Sequence, residues 1–150
     1  AAEARRSRGA VMQMFLDGEF NGFGGELISM GIVTDTGAEF YEVLEIDGEY
    51  EPWVAENVAP HLGKPQVFWE EFRGKLIAFL RDTVEPIEVV VDWPADAMYL
   101  ATVLLGWDHT ETVNIPMTIR IIDVPGDLPS KTPHNALADA KAIKAMFEQT

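Results

Sequence analysis

A chain of 150 residues, 47% hydrophobic and 24% charged, is long and apolar enough for one packed domain and too apolar to be disordered. It has no cysteine, which excludes a disulfide framework, a thiolate metal site and a thiol nucleophile, and fits a reducing, cytoplasmic compartment. Against 11 bases stand 25 acids, for a net charge of −14. Such a surface repels phosphate backbones, which argues against high-affinity nucleic-acid binding, although bound divalent cations invert that logic locally.

No apolar run reaches the roughly 18–20 residues of a membrane helix. Residues 1–13, rich in Ala and Arg, have no long apolar segment and do not read as a signal peptide. They read as an appended tail, with the native chain starting at Met12 or Met14 and a single domain over 14–150. The first strand is expected at Met14 to Phe20, followed by a Gly-rich loop over 21–25. A second strand is expected over Glu26 to Thr34, a tight turn at 35–37, and a third strand over Glu39 to Ile46. The middle of the chain turns helical. Glu56 to His61 reads as a short helix. Gln66 to Thr83 reads as a longer one, with Phe68, Phe72, Leu76 and Phe79 on one face. Pro86 to Val91 reads as a buried strand, and Ala95 to Gly106 as a helix opened by Pro94. After an irregular stretch come a last strand over Met117 to Val124, a loop, and a C-terminal helix over His134 to Gln149. This order places helices against a mixed sheet, an α/β architecture.

Three short motifs carry the chemistry. In Asp17-Gly18-Glu19 the two acids are i and i+2 along a strand, so they share a face. Two carboxylates held together repel unless a hard cation with oxygen ligands neutralises them. Alone the tripeptide is a weak signal, because Asp47-Gly48-Glu49 has the same letters where a turn is the simpler reading. The second motif is Val91-Asp92-Trp93-Pro94-Ala95-Asp96, a strand end leading into a helix with an acid in its first turn. Asp96 could serve the helix dipole alone, with Asp92 as a capping or turn residue. The third is His134-Asn135-Ala136-Leu137-Ala138-Asp139. Residues five apart on a regular helix differ by about 140°, so His134 and Asp139 converge only if His134 lies in the loop and folds back. The alternative puts Asp139 on a solvated helix face. Ala136, Ala138, Ala140 and Ala142 point to close packing of this helix. Phe20 and Trp93 adjoin the motifs and are candidates for stacking on a base, although aromatics at such spacing more often belong to the core.

In order, Asp17-Gly18-Glu19, Asp96-Ala-Met-Tyr-Leu100 and His134-x-x-x-x-Asp139 resemble the motifs of the DEDDh 3′→5′ exonucleases of the RNase H-like superfamily. Glu26-Leu-Ile-Ser-Met-Gly31 is similar to that family's second strand. The compact length is most like a branch of small bacterial and phage exoribonucleases related to a mycobacterial enzyme. Gly18 stands where the family commonly has Thr, and Asp92-Trp93-Pro94 where it usually carries a polar group such as Asn. The resemblance implies a ribonuclease H fold with a mixed five-stranded sheet flanked by helices. It implies that Asp17, Glu19, Asp96 and Asp139 bind two Mg²⁺ or Mn²⁺ ions, and that His134 takes the proton of the attacking water. The imidazole suits that task as the side chain that changes charge near neutral pH. Substrates would be the 3′ ends of RNA or single-stranded DNA, and the product a nucleoside 5′-monophosphate. Lys131, in the loop before His134, could touch a phosphate, and a homodimer is compatible with the resemblance. Two other readings stay open: a phosphodiesterase acting on dinucleotides, and a binding module that keeps the fold without catalysis.

Overall fold

The computed structural model describes residues 10–124 and 128–149. Most of the expected tail, residues 1–9, lies outside the described residues, as do residues 125–127 of the loop. Six strands and four α-helices follow in the order β1 (Met12–Phe20), β2 (Leu27–Thr34), β3 (Glu39–Leu44), α1 (Pro52–Asn57), β4 (Gln66–Val67), α2 (Trp69–Arg81), β5 (Ile87–Val91), α3 (Pro94–Leu105), β6 (Met117–Ile121) and α4 (Ala136–Glu148). They build one mixed sheet in the order β4-β3-β2-β1-β5-β6. β1, β2 and β3 form an antiparallel meander, and β5 joins β1 in parallel. Among the described residues, no helix is long and apolar enough to cross a membrane.

Alternation along β1 sorts its side chains into two layers. Met14 and Leu16 face one side, where Phe72, Leu76 and Leu80 of α2 and Leu100 and Val103 of α3 complete the main core. Phe15 faces the other side, against Ala140 and Ile143 of α4. With helices on both faces, the central strands can be apolar nearly throughout, and all of β2 is buried.

The sheet has six strands where five were expected. Gln66 and Val67, read as the start of the long helix, pair instead with Val43 and Leu44 as β4. The helix starts at Trp69, and Phe68, placed on its apolar stripe by spacing, precedes it with 70% of its surface exposed. The buried stripe is Phe72, Leu76 and Leu80. α1 begins earlier than expected, at Pro52, whose fixed φ suits a first helical turn. Pro60 has no N–H to continue it, so residues 59–61 follow as a separate 3₁₀ turn. β1 begins at Met12, whose N–H donates to the Pro86 carbonyl at 2.8 Å, so Met12 and Gln13 belong to the strand and not to the tail.

Candidate metal centre

The acidic residues gather where parallel β1 and β5 reach their carboxyl ends, the usual place for a ligand in an open α/β sheet. Asp17 and Glu19 lie on the α4 face of β1, in register with Gly31 and Ser29 of β2. A Cβ on Gly31 would lie 2.4 Å from the Leu137 nitrogen and 2.5 Å from the Ala136 carbonyl carbon. Glycine thus lets the first turn of α4 rest on the β2 backbone, directly across from Asp17. That approach brings Asp139 into the cluster, where it is buried. Asn135 caps the turn by accepting from the Ala138 N–H at 3.0 Å, and its amide donates to the His61 carbonyl at 2.9 Å.

Asp96 arrives from the other side of the sheet. It lies in the first turn of α3, 2% exposed, and its Oδ1 accepts from the Gly18 N–H at 3.1 Å. Gly18 is past the last β1 residue paired with β5, so this bond satisfies a backbone donor that has no strand partner there. The middle residue of the Asp-Gly-Glu motif therefore contributes its backbone to the site.

Two groups of carboxylates share Asp17. One is Asp17, Glu19 and Asp139, and the other is Asp17, Asp92 and Asp96; in each, one oxygen per residue lies within 4.8 Å of the others. Asp92 is the member that sequence reasoning treated as a cap. The signal that could have found it is register: Phe15 pairs in parallel with Val90, so two residues further on Asp92 is level with Asp17.

Burial is the main reason these groups resist ionisation, and mutual repulsion adds to it. Asp17 is held well above the usual carboxylate range by desolvation, then by Asp96, Glu19, Asp139 and Asp92. Glu19 is pushed up to about 8 by burial and by Asp139, and Asp96 to about 7 by burial, against the lowering bond from Gly18. Asp92 is also raised, chiefly by desolvation. The Tyr41 phenol is pushed up to about 12 by burial and by the charge of Glu19. Elsewhere the chain neutralises a buried acid itself: Glu42 meets Lys64 at 2.9 Å and Lys75 at 3.4 Å. Among the described residues no lysine or arginine forms an ion pair with the clustered carboxylates. Asp17 Oδ2 is buried and accepts no hydrogen bond. A buried to half-buried, all-oxygen donor set with no basic partner fits a hard divalent cation and fits zinc poorly.

His134 sits in the loop before α4 with φ +69°, and this left-handed turn folds it back toward Asp139. Its backbone N–H donates to Asp139 Oδ2 at 3.2 Å, and its ring meets the edge of Trp53 at 5.3 Å between centroids. The remaining candidates lie around the cluster. Trp93 immediately precedes α3 and is 54% exposed. Phe20 turns to the α3 side and stacks on Tyr99 at 5.1 Å. Lys131 is exposed in the loop. Fold and site together define an α/β protein with a mixed sheet and a cluster of carboxylates gathered around Asp17. No protein-family model matches the chain, and no curated protein matches it.

Proposed function

We propose that the chain is a divalent-cation-dependent 3′→5′ exonuclease with a ribonuclease H-like fold, releasing nucleoside 5′-monophosphates from RNA or single-stranded DNA. The observation that carries this reading is the pair of carboxylate groups joined through Asp17. Asp17, Glu19, Asp92, Asp96 and Asp139 are the residues that would hold Mg²⁺ or Mn²⁺. Two such ions, when bound, stabilise the attacking and leaving oxygens of an in-line displacement at phosphorus. The protein's own part is to hold the oxygens in place and to move a proton. His134 takes the proton of the attacking water as the new P–O bond forms and the bond to the 3′ oxygen breaks, and that oxygen takes a proton from solvent water, leaving a chain that ends in a 3′-hydroxyl. Asp139 anchors the His134 backbone and Trp53 steadies its ring. Phe23, Trp53 and Trp93, all exposed, are set in the loop after β1, on α1 and at the start of α3, where unpaired bases could stack.

The acidic surface favours a second reading. With a net charge of −14, a long phosphate backbone is poorly held, so a dinucleotide is the alternative substrate. One experiment tests both. Single-stranded RNA, matching DNA and dinucleotides are incubated with Mg²⁺, Mn²⁺ or EDTA, beside Asp17→Asn. Metal-dependent shortening from the 3′ end, absent in the variant, is the expected result. Cleavage confined to dinucleotides moves the assignment to the second reading, and no cleavage by folded, metal-loaded protein sinks both.

A further inference from the structure

A second feature lies at the far end of α3, where the chain leaves the helix through Gly106. At 1.5 Å per residue Gly106 is about 15 Å from Asp96, and the larger of the two cavities at this end runs back from it to Gly25, Leu27 and Tyr99. Trp107 projects there, 80% exposed, with its ring at 6.3 Å from that of Trp69 in an edge-to-face arrangement. Trp69 and Trp107 line two adjoining cavities of about 540 Å³ and 380 Å³. Glu45 and Asp47 line the first cavity, and Glu70 and Glu111 the second. All four acids are exposed and none forms an ion pair among the described residues. Among the described residues Arg73 is the only lysine or arginine lining either cavity, and its guanidinium is held by backbone carbonyls. It donates to the carbonyls of Val103 at 2.8 Å, Leu104 at 3.2 Å, and Glu111.

We propose that this groove docks an arginine-bearing segment of a partner polypeptide, its guanidinium groups lying on Trp107 and Trp69 between the flanking carboxylates. Tryptophan is the strongest aromatic partner of a guanidinium, and exposed tryptophans are frequent anchors of interfaces. The acids on both walls repel phosphate, which argues against a nucleic acid, and a chain of charge −14 draws a basic partner from a distance. A lone hard cation is not the occupant, since no three of these acids converge on one point among the described residues. Two adjoining cavities that share Trp69 and Trp107 need more than one side chain to fill them, which favours a peptide over a single small cation.

The test uses the whole chain and a hexa-arginine peptide, with tryptophan fluorescence and calorimetry as readouts. Saturable binding that weakens at high salt is expected. Trp107→Ala should weaken it about tenfold, and Trp107→Phe should keep most of it. Asp17→Asn should bind the peptide as the unmodified chain does. Equal affinity in the unmodified chain and Trp107→Ala would show mere attraction to an acidic surface and overturn the proposal. Loss of binding in Asp17→Asn would move the peptide to the carboxylate centre and overturn it equally. Binding of adenosine in place of the peptide would make the groove a base-stacking site. Trp107 is exposed, so its replacement leaves the fold intact, which circular dichroism checks.

Discussion

Asp17-Gly18-Glu19-Phe20 and Asp47-Gly48-Glu49-Tyr50 are nearly the same peptide in two surroundings. The first runs through the central strand of the sheet, with Asp17 buried among Glu19, Asp92, Asp96 and Asp139. The second lies in an exposed bend after β3. There the Asp47 N–H donates to the Glu26 carboxylate at 3.3 Å, and the Glu49 carbonyl accepts from the Asn21 side chain at 3.0 Å. One glycine offers its N–H to Asp96, while a Cβ on Gly48 would meet nothing within 4 Å. The difference teaches that carboxylates come to resist ionisation through what covers them. Two helix N-termini, from α3 and α4, close over the first peptide, while the second stays at the surface.

The sharpest way to break this comparison is to neutralise each aspartate. Asp17→Asn should cut 3′-end cleavage by about 10²–10³-fold, the scale of losing one group that stabilises charge in the transition state. Asp47→Asn should leave the rate within about twofold, as for a surface change away from the chemistry. The same pair, melted in EDTA, should separate in the opposite sense. Asp17→Asn removes repulsion and raises the melting temperature, while Asp47→Asn does not move it. A lower melting temperature for Asp17→Asn would show that the cluster is not under electrostatic strain.

The glycines give the next largest contrast. Gly31→Ala forces the added methyl into the backbone of α4 and should cost about 1–3 kcal/mol in denaturant unfolding. It should also depress metal-dependent cleavage, because α4 carries Asp139. Gly48→Ala should stay within about 0.5 kcal/mol of the unmodified chain. Equal effects of the two would mean that the contact of α4 with β2 is not what seats Asp139.

A smaller, pH-dependent effect follows from the raised carboxyls. Glu19 moves from 4.5 to about 8 and Asp96 from 3.8 to about 7, so the folded chain keeps protons that the unfolded chain has lost. The stability these groups contribute is complete below about pH 4 and is lost as pH rises through 7 and 8. In EDTA the melting temperature should therefore fall between pH 5 and pH 8 from this cluster, less steeply in Asp17→Asn. Added Mn²⁺ should raise it more at pH 8 than at pH 6, since the ligands must shed their protons to bind. The smallest effect is expected at the cap of α4: Asn135→Ala should cost about 1 kcal/mol in denaturant unfolding.

Much of this was legible in the residues themselves. The two-residue repeat of side chains along β1 places Asp17 and Glu19 on one face. The length and periodicity of α3 and α4, the proline opening α3 and the acid in each first turn are local features of the chain. The requirement that His134 leave the helix is equally local, and a left-handed residue in the loop brings its backbone N–H to Asp139 while its ring packs on Trp53. Tertiary structure decided what depends on distant partners. Gln66 and Val67 are strand only because β3 offers them a free edge, overriding the helical pattern that runs on from them. Asp92 joins the site because β5 lies parallel to β1, a pairing between segments about 75 residues apart that no local period encodes. Gly31 looks like any strand glycine until α4, more than 100 residues later, comes to rest on it. Periodicity reports which way a side chain points, whereas the meeting of Asp17, Asp92, Asp96 and Asp139 depends on close packing between elements, which the folded chain alone brings into contact.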